Sequence, residues 1–237
     1  MNSILDQDGQ GYSKEITRDF FKNVYAYMFG ALAISGIIAY SAGTPEIFAK
    51  YFINAEGTGA VPLFYVVAFA PLGLGLVIQM AYQRLSFGLL VLLFMLFSVL
   101  MGLSLSSVML MYAGKDIAIT FFVTAGSFGG MAVLGYTTQT DLTKFGSLLY
   151  MVFIGMFIAS IVGWITGFDF SFVLAILGVF VFTGLTAYYM QQLKGVAQDQ
   201  SLSHLDRSKL ALVGGLQLYI LFVNLFLSLL RLIGGRD

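Results

Sequence analysis

The sequence predicts an all-α integral membrane protein, a bundle of seven transmembrane helices. Three observations carry that prediction. Of 237 residues, 59% are hydrophobic and 10% charged, whereas soluble domains carry roughly 25% charged and about 45–50% apolar residues. Seven long runs contain no Asp, Glu, Lys or Arg, and about 20 apolar residues in a helix cross a hydrocarbon core roughly 30 Å thick. The breaks between the runs are short and charged. Barrel strands would alternate apolar and polar residues, which Leu89-Leu90-Val91-Leu92-Leu93-Phe94 does not. Helices are the remaining spanning structure.

Taken in order, residues 1–13 are rich in Asn, Asp, Gln and Gly and read as a mobile cytoplasmic tail. Residues 14–232 read as a single seven-span membrane domain, and 233–237 as a C-terminal tail. Lys14, Arg18 and Lys22 recur every four residues and share a helical face, with Glu15 and Asp19 beside them. That face is either the solvated first turn of span one or a surface helix facing anionic lipid or a partner. The runs cover residues 23–45, 57–83, 85–114, 117–140, 145–168, 170–193 and 210–230. The first is longer than the roughly 7–15 residues of a signal core and follows an acid-containing stretch, so it reads as a retained anchor. Two connections are sizeable: an outer loop at 42–60 with Gly43, Pro45, Gly57 and Gly59, and an inner polar loop at 194–209.

Orientation follows from Lys and Arg in the short loops. With the N-terminus in the cytoplasm, the inner segments hold Lys14, Arg18, Lys22, Arg84, Lys144, Lys194, Arg207 and Lys209. The outer segments hold Lys50, Lys115, Arg231 and Arg236. Eight against four places the N-terminus inside, and seven spans place the C-terminus outside. Short loops without added domains point to a bacterial inner (cytoplasmic) membrane.

Among 27 glycines, Gly126 and Gly130 form a small-xxx-small face with Gly129 adjoining. Gly135, Gly155, Gly163, Gly178 and Gly184 extend the theme. Close helix packing in lipid is the commoner reason for such faces; hinges that open a pore are the other reading.

The composition also excludes chemistry. There is no Cys, and the runs contain no ionisable Asp, Glu, Lys or Arg, whereas such groups mark proton relays and ion paths inside membranes. The single His, His204, falls in a loop. A zinc protease needs paired His, and Ser98, Ser104, Ser106, Ser107 and Ser127 have no base nearby in sequence to activate them. No enzyme, metal or cofactor is expected. Zero net charge gives no pull on nucleic acid. The partner that composition demands is the lipid bilayer. The polar residues left inside are neutral: Gln79, Gln217 and Asn224. Gln217 and Asn224, seven residues apart, share a helical face. They form either a polar seam lining a narrow aqueous path or a set of interhelical hydrogen bonds.

Three stretches carry a resemblance. Gly135-Tyr136-Thr137-Thr138-Gln139-Thr140-Asp141-Leu142 resembles the GYTT-x-x-DL signature of the Bax inhibitor-1/YccA family. Gly184-Leu185-Thr186-Ala187-Tyr188-Tyr189-Met190-Gln191-Gln192 is similar to its G-x-T-x-Y-D-T-Q stretch. Leu218-Tyr219-Ile220-Leu221-Phe222-Val223-Asn224-Leu225-Phe226 is similar to L-Y-L-D-F-I-N-L-F, and Phe21-Lys22-Asn23-Val24-Tyr25 resembles the start of the family's first span. The resemblance implies a bundle with the seventh helix central. It also implies a calcium leak gated by pH through a pair of Asp, in spans six and seven, that share protons and a salt-bridge latch. This chain departs at both positions, with Tyr189 and Leu221. Neither supplies a carboxylate that titrates near neutrality or a hard oxygen for calcium. The latch's basic partner in span two has no match near Gln79. Two functions follow as expectations: a passive leak for calcium or another cation without the family's pH sensor, or a non-catalytic regulator of quality control and stress. The second rests on a resemblance to the YccA-like branch, which implies a membrane-anchored ATP-dependent protease as partner.

Overall fold

A computed structural model of the chain describes residues 2–54 and 59–234, with side chains from Glu15 onward. Gly57, Arg236 and the side chains of residues 1–14 lie outside the described residues. Among those described, the chain forms α1 (Asn2–Ala42), α2 (Pro45–Phe52), α3 (Pro62–Ala81), α4 (Phe87–Met111), α5 (Gly114–Thr137), α6 (Thr143–Thr166), α7 (Ser171–Gln198) and α8 (His204–Ile233). Among the described residues seven helices are long and apolar enough to cross a membrane, α1 through its part Glu15–Ala42, and no strand forms. The protein is an integral membrane protein of the predicted class.

The helices differ from the apolar runs at their ends. A backbone in lipid must satisfy its own hydrogen bonds, so helices continue until water can take over. The inner loop expected at 194–209 is therefore mostly helix. α7 runs to Gln198, and His204 opens α8 rather than lying in a loop. In the outer loop an unpredicted short helix, α2, forms. Thr44 caps it by accepting from the Ile47 N–H, with Pro45 at the first helical position. Phe48, Phe52 and Phe64 then cluster edge to face between α2 and α3. At the far end of α6, Gly167 adopts φ 73°, a conformation only glycine takes easily, and ends the helix. Asp169 then accepts from the Ser171 N–H at 2.8 Å to start α7.

The chain falls into two compact units. Unit 1 comprises Met1–Met111 with Val196–Tyr219. Here α4 packs on α1 and α3. Gly102 of α4 lies against Ser35 O and Ile38 of α1, each 2.8 Å from where a Cβ would stand. Gly215 of α8 lies likewise against Tyr27 and Val24 O of α1. The Ser104 hydroxyl donates to Val67 O of α3 at 2.7 Å.

Unit 2 comprises Tyr112–Gly195 with Ile220–Asp237. Phe222 of α8 meets Phe121 and Phe128 of α5 edge to face, both at 5.5 Å. Gly178 of α7 leaves room for Ser228 of α8. Gly126, Gly129, Gly130 and Gly155, expected to pack, are instead open, with nothing within 4 Å of an added Cβ. Glycines of this unit in close contact include Gly135, Gly146, Gly163, Gly178 and Gly184. Spacing alone does not distinguish the two sets, because every face of a spanning helix is apolar.

Burial singles out α8. In its most apolar stretch 72% of residues are buried, against 6% for α6. Nine consecutive residues, Ala211 to Tyr219, are buried all round the helix, as an enclosed helix requires.

Candidate functional site

Two of the resembling stretches meet at one end of unit 2. α5 ends at Thr137, and the Thr138 N–H returns to Leu134 O at 2.9 Å. The chain then turns through Gln139–Leu142 into α6. Gln191 of α7 holds this turn with both ends of its amide. Its Oε1 accepts from the Leu142 N–H, and its Nε2 donates to Thr140 O, each at 2.8 Å. One turn on, the Lys194 ammonium donates to Tyr136 O at 2.9 Å and lies 5.3 Å from the centre of the Tyr136 ring. It thereby bonds a carbonyl in the last turn of α5, where the helix dipole favours a cation. Asp141 accepts from the Thr143 N–H at 2.9 Å at the start of α6. The Thr143 hydrogen bonds, helped by Lys144, hold its carboxyl below the ordinary 3.8.

Close approach makes the clamp reachable. A Cβ on Gly135 would collide with the Ala187 backbone, so α5 and α7 meet backbone to backbone there. Gly146 of α6 lies under the Tyr188 ring, and Tyr150 meets that ring edge-on at 6.2 Å. Tyr188, expected at the interfacial belt, is half-buried in this contact.

The sequence-predicted positions stand as follows. Tyr189 is half-buried on α7, and Leu221 is 2% exposed on α8. Among the described residues no group of three or more His, Cys, Asp or Glu is placed to hold a metal. Gln79 is half-buried on α3. Gln217 is buried, and its Oε1 has no hydrogen-bond partner among the described residues. Asn224 turns its amide back on its own helix, donating to Ile220 O at 2.8 Å. Gln217 and Asn224 share a face, but about 10 Å of helix rise separates them, and they do not bond to each other.

Other polar residues escaped the sequence reading. Tyr219 OH, Thr120 Oγ1 and Thr183 Oγ1 are buried without hydrogen-bond partners among the described residues. In unit 1, Arg207 donates to Ala197 O at 2.9 Å and Asp199 O at 2.7 Å, closing the α7–α8 turn. Lys209 is 8% exposed and donates to Gln83 O beyond the end of α3, at 3.3 Å. Their signal was basic charge near helix ends, which the sequence shows without naming the carbonyl each would reach. The hydroxyls of Ser98, Ser104, Ser106 and Ser107 all donate to backbone carbonyls.

Comparison with known proteins agrees with the motifs. Inner membrane protein YbhL of Escherichia coli K12 is 39% identical over 221 residues, covering 92% of each chain. An uncharacterized protein of Caulobacter vibrioides is 41% identical over 226 residues, 92% of this chain and 89% of the relative. One from Borreliella burgdorferi is 38% identical over 223 residues, covering 93% of this chain and 94% of the relative. Residues 17–237 match the family described as "Inhibitor of apoptosis-promoting Bax1". With that match spanning all seven membrane helices, the chain belongs to the Bax inhibitor-1 family.

Proposed function

We propose that this protein is a non-catalytic, channel-like leak for a cation, calcium foremost, that works without the family's di-acidic pH sensor. One observation carries the reading. In unit 2 Thr120 Oγ1 and Thr183 Oγ1, and in unit 1 Gln217 Oε1 and Tyr219 OH, are buried without a hydrogen-bond partner among the described residues. Unpaired polar groups are unfavourable in a membrane interior and favour water or a passing ion as partner. Tyr189 and Leu221 remove the carboxylates that would gate such a path. The protein sits in a bacterial inner membrane, in keeping with the name of the Escherichia coli relative. Its N-terminus is cytoplasmic and its C-terminus outside.

Calcium flux into dye-loaded proteoliposomes at pH 6, 7 and 8 tests this. The native protein leaks equally at all three, and the Tyr189→Asp/Leu221→Asp double variant acquires pH dependence. A steep pH dependence in the native protein overturns the reading.

A second reading has its own support. The exposed Gly126, Gly129 and Gly130 face of α5 is open to another membrane helix. On it the protein is a regulator that docks on a membrane protein, such as a membrane-anchored ATP-dependent protease. A native protein silent in flux, together with a stoichiometric cross-linked partner in membranes, favours this reading.

A further inference from the structure

α3 carries a proline in its interior, Pro71, which is buried. A proline has no N–H, so the carbonyl four residues back, that of Val67, loses its helical partner. In lipid such a carbonyl has no water to turn to. The Ser104 hydroxyl of α4 supplies the missing donor, bonding Val67 O at 2.7 Å. The pairing is specific to this serine. Ser98, Ser106 and Ser107, on the same helix, all donate to carbonyls of α4 itself.

Three features make this a bond that can open. Ser104 is half-buried, and a helical serine that leaves an outside partner has a carbonyl of its own preceding turn to bond, as its neighbours do. Opening therefore leaves one group short, Val67 O, and not two. The helix beyond the proline is weak, because Pro71-Leu72-Gly73-Leu74-Gly75 places two glycines in the next turn, and sharp kinks gather at prolines. The two halves of α3 are also packed unequally. Pro71, Gly75 and Ile78 are buried in the second half and Val67 alone in the first, where Leu63, Tyr65, Val66 and Phe69 are exposed. The start of α3 is tied to α2, by the Phe48, Phe52 and Phe64 cluster and by the Val61 N–H donating to Phe52 O at 3.0 Å.

We propose that Ser104 is a clip on a proline hinge in α3, a conformational device within unit 1. With the clip closed, residues 62–70 lie along α4. With the Ser104 hydroxyl turned back to its own helix, they swing about Pro71 while residues 72–81 stay on α4. The device needs no ion to cross, so it stands or falls apart from the leak.

The test is double electron–electron resonance on the full chain in phospholipid bilayers, with nitroxides on introduced cysteines, which the absence of native Cys permits. Leu63→Cys with Leu92→Cys follows the first half of α3, and Leu76→Cys with Leu110→Cys the second; all four sites are exposed. Ser104→Ala should broaden the distances of the first pair and add a second component, leaving the second pair unchanged. Pro71→Ala restores an N–H for Val67 O, so the Pro71→Ala/Ser104→Ala double variant should return the first pair to its native width. No broadening in Ser104→Ala, equal broadening of both pairs, or broadening that survives in the double variant overturns the proposal. If the Pro71 variant does not fold, Ser104→Thr takes its place. It keeps the hydroxyl and should keep the native distances, and broadening there overturns the proposal.

Discussion

Gln191 bonds to two residues of one turn, Leu142 and Thr140, that lie 49 and 51 residues away in sequence. Each of its hydrogen bonds is a neutral pair worth about 0.5–1.5 kcal/mol net. Gln191→Leu should therefore destabilise the protein by about 1–3 kcal/mol and expose the 138–142 turn to protease, measured by thermal unfolding and limited digestion in detergent. Gln191→Glu keeps the acceptor for Leu142 and loses the donor for Thr140, so it should fall between. Acid acts on the same turn. The Asp141 carboxyl is depressed by its bonds to Thr143, and Asp199 by those to Ser201. A depressed carboxyl contributes stability above its unfolded value, lost as pH falls through the lower folded one. Both groups start from an ordinary 3.8, so neither adds any slope between pH 6 and 8. Unfolding followed from pH 7 to 3 should show a loss only at the acid end, reduced in Asp141→Asn. The sequence displayed Gln191, Asp141 and Lys194 as members of polar stretches. It could not show their pairing, because a side chain that reaches across 50 residues leaves no periodicity.

Glycine roles divide by helix face. Gly135→Ala drives a methyl into the Ala187 backbone, which cannot move aside. It should cost about 1–3 kcal/mol, as overpacking does. Gly126→Ala meets nothing within 4 Å and should be neutral or stabilising by up to about 1 kcal/mol through helix propensity. Paired melting curves check the contrast. A docked membrane partner would reverse the second result in native membranes while leaving it unchanged in detergent. The seven spanning helices were legible from hydropathy, because lipid forces long uncharged runs. The short α2 was not. Its signals, Thr44-Pro45 and the Phe48/Phe52 pair, are local capping and packing features that a search for 20-residue runs passes over.

At the scale of the whole molecule, sequence carried the class of the protein and its family, and the polar positions only in part. Absence of Cys makes the topology directly measurable. Single cysteines at Ser201 and at Lys115 lie in opposite predicted compartments. A membrane-impermeant maleimide applied to intact cells should label Lys115→Cys and spare Ser201→Cys. The reverse pattern would invert the orientation. The division of the chain bears on how it is made. Unit 1 draws on α1 to α4 and then on residues 196–219, so the nascent chain must deliver nearly all of unit 2 before unit 1 has its last helix. Leu212, Leu216, Leu218 and Tyr219, each buried to 0% exposure, are made only after α5, α6 and α7. Until then the first four helices wait in the bilayer with the face meant for α8 uncovered.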